Sequence, residues 1–597
     1  MTTRYDHSGV HMAAIIDPRQ GDAEDDASST KQRSLLSLAG SLLAEISLPK
    51  LALTWVLLIG APALLLGLAP LLASIWLSTV SAKLAYALSG LGSALLLAGV
   101  VALGWYGGTR LIRMAEHNFW ALNSLAVQPV YAMAREALRQ LAESLLAATA
   151  SAERRAALRA AIAAVAGLAV AVPAALLAML VWPQTRWVGT AADLAMPGQL
   201  ALAALANGFV LIVGYFAAAA LVWGFADATM AQPRDIRFAQ PPEPGRRRWR
   251  IAHLSDIHTV GERYGFRLES GRAGSRGNDR VRHALARLDA LHAAQPLDVV
   301  LVTGDVTDAG RSAEWAEFFD ALALYPALAE RLLILPGNHD VNVVDRANPA
   351  RLDMPFSPNK RLRQLRTISA MAAVQGGRVR VVDVAAGRIG PTLEEALAPH
   401  RAAMREFADT GTLRHILAMA DLWAGLFPLV YPPDTEDGLG LILLDSNADT
   451  HFSFTNALGL VSVAQVRGIE IAKAHYPAAR WLVGLHHHVV EYPMPAKQLS
   501  ERIGTALVNG SWFVRRLQRI LPGAVVMHGH RHIDWIGACG SLRIVSAPSP
   551  VMEATDDKPT HFLIHTLADG ADGGLDLLEP ERIVIAGEPV AAAAAIL

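Results

Sequence analysis

Cysteine is almost missing from this chain: Cys539 is the single one in 597 residues. No internal disulfide can form, which excludes the disulfide-stapled secreted scaffolds and fits a reducing compartment. Net charge is lacking as well. Lys and Arg total 53 against 54 Asp and Glu, leaving −1, so the broad basic surface of a nucleic-acid protein is absent and no nucleic-acid partner is expected. The third absence is local. Residues 51–80, 84–109, 160–185 and 194–226 contain no Asp, Glu, Lys or Arg. A chain with no ionisable group inside its apolar runs lacks the relay or ion-path chemistry of a transporter.

Those four runs each exceed the ~20 residues that a helix needs to cross a bilayer core. They account for the 52% hydrophobic content and the mean hydropathy of +0.29. Trp55, Trp76, Trp105, Trp182, Trp187 and Trp223 stand near their ends, as in an interfacial belt. Pro62, Pro70 and Pro173 fall within the runs, where membrane helices tolerate a kink. The expected organisation is a polar, disordered tail at 1–48 and a transmembrane region at 49–230. Its helices are expected near 51–78, 84–108, 160–183 and 198–225, with a link at 110–158. A linker at 231–248 and a second domain at 249–597 follow. The tail is polar and of mixed charge, and the first apolar run is too long for a signal-peptide core. Within the link, Gln128 to Ala150 has the apolar spacing of an amphipathic helix.

Basic residues set the orientation. Arg110, Arg113, Arg135, Arg139, Arg154, Arg155 and Arg159 lie between the second and third runs, and Arg246, Arg247, Arg248 and Arg250 follow the fourth. The positive-inside rule puts these segments, and hence the second domain, in the cytoplasm of a bacterial-type inner membrane. The Arg246–Arg250 cluster is read as contacting anionic lipid headgroups.

The second domain has a different grammar. Short apolar runs at 249–255, 297–303, 332–336, 479–485 and 523–527 read as buried strands, with helical segments such as 280–294 between some of them. That alternation implies a parallel or mixed sheet covered by helices. Each run ends in a polar patch: Asp256-Ile257-His258, Gly304-Asp305-Val306-Thr307-Asp308, Gly337-Asn338-His339-Asp340, His486-His487-His488 and Gly529-His530-Arg531-His532. Ligands collect where strands end and loops begin. Carboxylate, imidazole and amide oxygen in that mixture suit Mn, Fe or Zn. Taken singly, each patch is an ordinary turn or cap. Five in order are not.

The series D-x-H, G-D-x-x-D, G-N-H-D, a post-strand His and G-H-x-H resembles the calcineurin-like metallophosphoesterase superfamily. The resemblance implies a mixed two-sheet sandwich flanked by helices, here preceded by the all-α four-helix transmembrane region. It implies two divalent metal ions that activate a water for attack on a phosphate ester. By the same resemblance, Asp256, His258 and His532 would bind the first metal and Asn338, His486 and His530 the second, with Asp305 bridging. His339 would contact phosphate and protonate the leaving oxygen, and Asp308 would orient His339 through a hydrogen bond. The ligand of the triplet is assigned to His486, with His487 and His488 left open. The single-chain layout looks most like bacterial cyclic-nucleotide phosphodiesterases.

Around 345–435 a helical insertion is expected. Its basic run, Lys360, Arg361, Arg363 and Arg366, is read first as a solvated helix face and second as favouring phosphate-rich ligands, and Arg311 as either a phosphate contact or a surface residue. Asp445-Ser446-Asn447 is read as a strand-ending turn. The functional expectation is a membrane-anchored phosphoesterase acting on a phosphate ester, most simply a diester, with membrane lipids as neighbours. A hydrolase of lipid-linked phosphate esters and a catalytically weak receptor or scaffold are the alternatives.

Overall fold

The computed structural model describes residues 61–87, 127–145, 152–240, 245–261, 278–345, 351–353, 357–493, 507–551, 559–570 and 573–585, with isolated positions between 49 and 60. The chain divides into two compact units, one drawn chiefly from 46–230 and the other chiefly from 231–494 and 504–597. The expected tail at 1–48 and most of the expected span at 84–108 lie outside the described residues.

In the first unit, α1 (Ala61–Ala87), α2 (Gln128–Leu145), α3 (Ala152–Val181) and α4 (Pro197–Thr229) are helical. Among the described residues, three helical stretches are long and apolar enough to cross a membrane: Ala61–Ser78, Glu153–Gln184 and Pro197–Thr229. Small residues let these helices approach closely, the packing expected of helices that associate in lipid. A Cβ on Gly208 would collide with the Ala63 carbonyl, and one on Gly67 with the Ala204 carbonyl. A Cβ on Gly167 would come within 2.8 Å of the Ala220 carbonyl, and Gly224 is equally crowded by Gly167. Asn207, fully buried in α4, donates to the Gly67 and Arg186 carbonyls, while its Oδ1 accepts from Arg186 N at 2.9 Å. The amphipathic α2 buries Tyr131 against Ala166, Ala219 and Trp223. Tyr131 Oη and Arg135 Nη1 both donate to Asp227 Oδ2, at 2.9 and 2.7 Å.

The second unit holds two sheets. Its strands in chain order are β1 (Arg234–Asp235), β2 (Arg248–Leu254), β3 (Val299–Val302), β4 (Leu332–Ile334), β5 (Arg380–Asp383), β6 (Arg388–Thr392), β7 (Leu429–Tyr431), β8 (Leu439–Leu443), β9 (Arg480–Gly484), β10 (Val525–His528), β11 (Trp535–Cys539), β12 (Leu542–Ser546), β13 (Thr560–Asp569), β14 (Leu575–Leu577) and β15 (Glu581–Ile585). One sheet runs β14-β13-β2-β3-β4, with β15 also on β13, and the other β1-β11-β12-β10-β9-β8-β7-β5-β6. The central strands β2-β3-β4 and β8-β9-β10-β12 are parallel, and the flanking pairs are antiparallel. Both sheets are therefore mixed.

Parallel strands covered on both faces read as continuous apolar runs. Val299–Val302 is such a run, buried at all four positions. Helices cover the sheets with apolar stripes: Asp279–Ala294 buries Val281, Ala284, Leu285 and Leu288, spaced for one helical face.

Three parts of this unit differ from the sequence expectations. Residues 231–248 are more than a linker: β1 pairs with β11, and Ile236 and Phe238 pack on the core. The insertion is not purely helical. Besides the helices Asn359–Gln375, Arg401–Thr410 and Leu413–Leu426 it supplies β5, β6 and β7, which extend one sheet to its edge. Within the basic run, Lys360, Arg363 and Arg366 are 7%, 3% and 5% exposed, so that face is buried rather than solvated. Gly310, Asp353 and Asp449 contacts receive the three cations there.

The close helix contacts of the first unit lead to one expectation. Gly208→Leu forces a side chain into the Ala63 backbone, an overpacking that costs about 1–3 kcal/mol. A thermal melt of the detergent-solubilised protein should show a transition shifted down by several degrees, whereas Gly214→Leu, where a Cβ meets nothing within 4 Å, should melt with the wild type.

Candidate metal centre

All five polar patches follow the carboxyl ends of parallel strands. Asp256 and His258 come after β2, Asp305 after β3 and Asn338 after β4, all from one sheet. His486 follows β9, and His530 and His532 follow β10, from the other. Backbone bonds lock the first two loops together: Asp256 N donates to Gly304 O and His258 N to Asp305 O, both at 3.0 Å. Across the sheets, His530 N donates to Asp256 Oδ2 at 2.9 Å.

Among the described residues, five non-glycine positions have left-handed backbone: Asp256 (φ 55°), His258 (φ 42°), Asp305 (φ 51°), His530 (φ 74°) and His532 (φ 50°). Each belongs to a patch. Such backbone is disfavoured for residues bearing a Cβ and persists where the surroundings enforce it, most often at functional sites. Glycines make room beside them. A Cβ on Gly337 would collide with Asp305, one on Gly529 with Ser255 and Asp256, and one on Gly304 (φ 92°) would come within 2.6 Å of His486 Nδ1.

The donor atoms form three overlapping groups, each with its members within 4.8 Å of one another: Asp256, His258 and His532; His258, Asp305 and His339; Asp305, His486 and His530. His258 and Asp305 each belong to two of them. The fold thus brings together the first expected ligand set, and it brings Asp305 beside the second.

The environment of His486 tests whether a cation fits. Its Nδ1 lies 2.8 Å from the Thr303 carbonyl, which only accepts, so Nδ1 carries the proton. Its Nε2 then faces Asn338 Oδ1 at 3.0 Å, His530 Nδ1 at 3.2 Å and Asp305 Oδ2 at 3.3 Å. Acceptor atoms converge there and require a positive charge between them, a proton or a metal ion. The electrostatics report the same demand: burial opposes charging His486, yet the Asp305 carboxylate pushes the imidazole up to about 9. Burial and the neighbouring histidines hold His530 well below its ordinary range, and its buried Nε2 has no hydrogen-bond partner. A neutral imidazole is the form that binds metal. Fixing one ring nitrogen on a carbonyl and aiming the other at the ion is the usual support for a metal-bound His. The residues present fit two divalent cations.

On the other side, His532 Nε2 lies 3.3 Å from Asp256 Oδ1 and His258 Nε2 lies 3.8 Å from Asp305 Oδ2. His339 packs edge-on against His258, with ring centroids 4.6 Å apart. Its Nδ1 donates to Asp308 at 2.6 Å, but to the main-chain carbonyl. The Asp308 carboxylate lies instead 3.2 Å from His258 Nδ1. His487 is buried beside His530 without joining any of the three groups, and His488 lies 3.4 Å from Glu491.

Two positioning residues escaped the sequence assignments. Asp340 accepts from Val306 N, Thr307 N, Thr307 Oγ1 and Gly337 N, and so ties the Asp305 loop to the Asn338 loop. Burial and the nearby Asp305 charge push its carboxyl up to about 7. It stands as the fourth residue of Gly337-Asn338-His339-Asp340, and that place in the motif was its only signal. Ser446, in the segment read as a plain turn, accepts from His486 N and His487 N at 3.1 Å and lies 2.9 Å from His487 Nδ1. It fixes the register of the triplet, a contact 40 residues away in sequence.

Residues 250–534 match the family model described as calcineurin-like phosphoesterase. No curated protein matches the chain. Similar solved structures include a dimetal phosphatase from Danio rerio (12% identity, 56% of this chain and 98% of that one, TM-score 0.32). Another is a putative 5′-nucleotidase from Staphylococcus aureus (12% identity, 57% of this chain and 55% of that one, TM-score 0.28). A third is a purple acid phosphatase from yellow lupin (10% identity, 58% of this chain and 55% of that one, TM-score 0.26). A matching family model over the two-sheet unit, with the ordered motifs gathered at its strand ends, makes that unit a member of the calcineurin-like phosphoesterase superfamily.

Proposed function

We propose that the protein is a membrane-anchored phosphodiesterase dependent on two divalent cations, Mn, Fe or Zn. The observation that carries this reading is the convergence of acceptor atoms on His486 Nε2, from Asn338, His530 and Asp305. Asp256, His258 and His532 would hold one ion, Asn338, His486 and His530 the other, and Asp305 both. Bound there, the ions would draw charge from the phosphoryl oxygens and lower the pKa of a water.

The chain's own residues do the rest. Asp305 keeps its carboxylate charged through the surrounding imidazoles, which hold it well below the carboxylate range against the cost of burial. His339, with Nδ1 committed to the Asp308 carbonyl, keeps Nε2 for the proton of the leaving oxygen. Asp340 keeps the two loops in register. The three apolar helices support an anchor, and the arginine-rich segments beside them support a cytoplasmic enzyme unit. Anchoring would favour substrates held at the bilayer surface, so lipid-linked esters are the second reading. No nucleic-acid partner is part of either.

Full-length protein in detergent with added Mn²⁺ should hydrolyse bis(p-nitrophenyl) phosphate, and EDTA should abolish turnover. Asp305→Ala should lose most bound metal by elemental analysis, and substantial turnover in that variant would defeat the proposal. His339→Ala should lower kcat about a hundred- to ten-thousand-fold with metal content nearly intact.

Asp340→Ala leaves buried N–H groups without acceptors, at about 1–3 kcal/mol for each unsatisfied group. Denaturant unfolding of the apo-protein should show that loss as a lower midpoint, and an unchanged midpoint would remove Asp340 from its positioning role.

A further inference from the structure

Beside the metal centre lies a second feature. A cleft of about 280 Å³, counting its open mouth, is lined by Arg311, Arg351, Arg363 and Arg366 together with Ala309, Val343 and Val344. Four arginines line one cavity, and no Asp or Glu stands among its described lining residues. Their acidic partners include Glu314 with Arg311 at 3.0 Å, Asp345 with Arg351 at 3.6 Å, and Asp353 with Arg363. These carboxylates neutralise part of the charge without occupying the cleft.

The cleft is built on the catalytic loops. Ala309 directly follows Asp308, and Val343 lies four residues after His339. Arg366 Nη1 donates to Gly310 O at 2.8 Å, and Arg363 Nε to Val341 O at 3.3 Å. Thr367 Oγ1, from the same helix, donates to the Asp340 carbonyl at 3.2 Å. The helix Asn359–Gln375 therefore grips both loops that present Asp308 and His339, and places Arg363 and Arg366 in the lining of the cavity beside them.

Burying guanidinium groups is costly, and a cluster of them is costlier because like charges repel. Among the four, Arg351 is the most exposed, with 22% of its side chain accessible. Arg363 and Arg366 are 3% and 5% exposed. Burial alone depresses the Arg366 guanidinium, to about 9. An anion in the cleft would offset that cost. Planar guanidinium forks match phosphate oxygens in pairs, which makes Arg the residue for this task.

We propose that Arg311, Arg351, Arg363 and Arg366 form a phosphate subsite that receives a second, non-scissile phosphate of the substrate. The subsite makes the enzyme selective for esters carrying two phosphate groups over simple diesters. The substrate assignment rests on the phosphodiesterase reading, whereas the anion site itself does not.

Two measurements on the full-length protein separate these parts. The first is calorimetric titration of the metal-free, EDTA-treated protein with inorganic phosphate. Saturable binding in the millimolar range or tighter is expected, weakened about tenfold in Arg351→Gln and in Arg366→Lys. The lysine variant keeps the charge and removes the fork, and a thermal melt of each variant verifies its fold. No binding, or equal binding by wild type and both folded variants, would overturn the subsite.

The second measurement is turnover with Mn²⁺ on matched substrate pairs. One pair is thymidine 5′-(p-nitrophenyl phosphate) with and without a 3′-phosphate. The other is phosphatidylinositol with and without a 4-phosphate, in mixed micelles. The extra phosphate should raise kcat/KM about tenfold in one pair, and that pair identifies a soluble nucleotide or a lipid as the source. Arg351→Gln should collapse the ratio toward one. Turnover without preference in either pair would refute the selectivity. Arginine-dependent phosphate binding in a protein that hydrolyses nothing would retain the anion site and defeat the catalytic reading.

Discussion

A carboxylate shut away from water, as that of Asp305 is, must find positive charge or give up its own. Asp305 is 2% exposed. Its Oδ1 accepts from His339 N at 2.8 Å, and its Oδ2 lies 3.3 Å from His486 and 3.8 Å from His258. The rest of the domain can be understood as the scaffolding for that arrangement. Two sheets must deliver loops from β3, β4, β9 and β2 to the same few ångströms. Gly337 has to lack a side chain because any Cβ would strike Asp305. Asp340 has to brace the loop from behind.

Much of this was legible in the sequence because the chemistry restricts residue types and the sheet restricts where they stand. Asp256, Asp305, Asn338, His486 and His530 each follow an apolar run, and the runs became β2, β3, β4, β9 and β10. What stayed hidden depended on contacts between distant segments. Nothing local says that Ser446 would select the register of the histidine triplet. Nor could spacing reveal that Asp308 would reach His339 by its backbone and His258 by its carboxylate. Strands β5, β6 and β7 have only four, five and three residues, and β6 contains Gly390 and Pro391. Such fragments carry no period of their own and exist because a neighbouring strand pairs with them. The basic helix misled for a related reason. Lys and Arg usually mark a wet face, and only the packing of the insertion against the loops after β3 and β4 buries Arg363 and Arg366.

The two units are held together by different contacts. In the enzyme unit, apolar side chains such as Ile251, Leu301, Leu482 and Val525 leave water, and the core follows from area removed. In the helical unit the apolar helices meet by close backbone approach, the packing expected of helices that associate in lipid. There glycine and alanine hold the contact positions, and Asn207 spends its whole amide on the Gly67 and Arg186 backbone.

The five left-handed residues of the metal centre carry an evolutionary consequence. At these positions glycine would relax the main chain, since each such conformation costs a residue with a Cβ about 1–3 kcal/mol. The substitution that most eases folding is therefore also the one that deletes a candidate ligand. Drift toward sturdier variants pulls directly against chemistry here, more than at the candidate ligand Asn338, whose φ is not positive. Descendants released from selection for turnover should decay first at Asp256, His258, Asp305, His530 and His532, and gain robustness as they do.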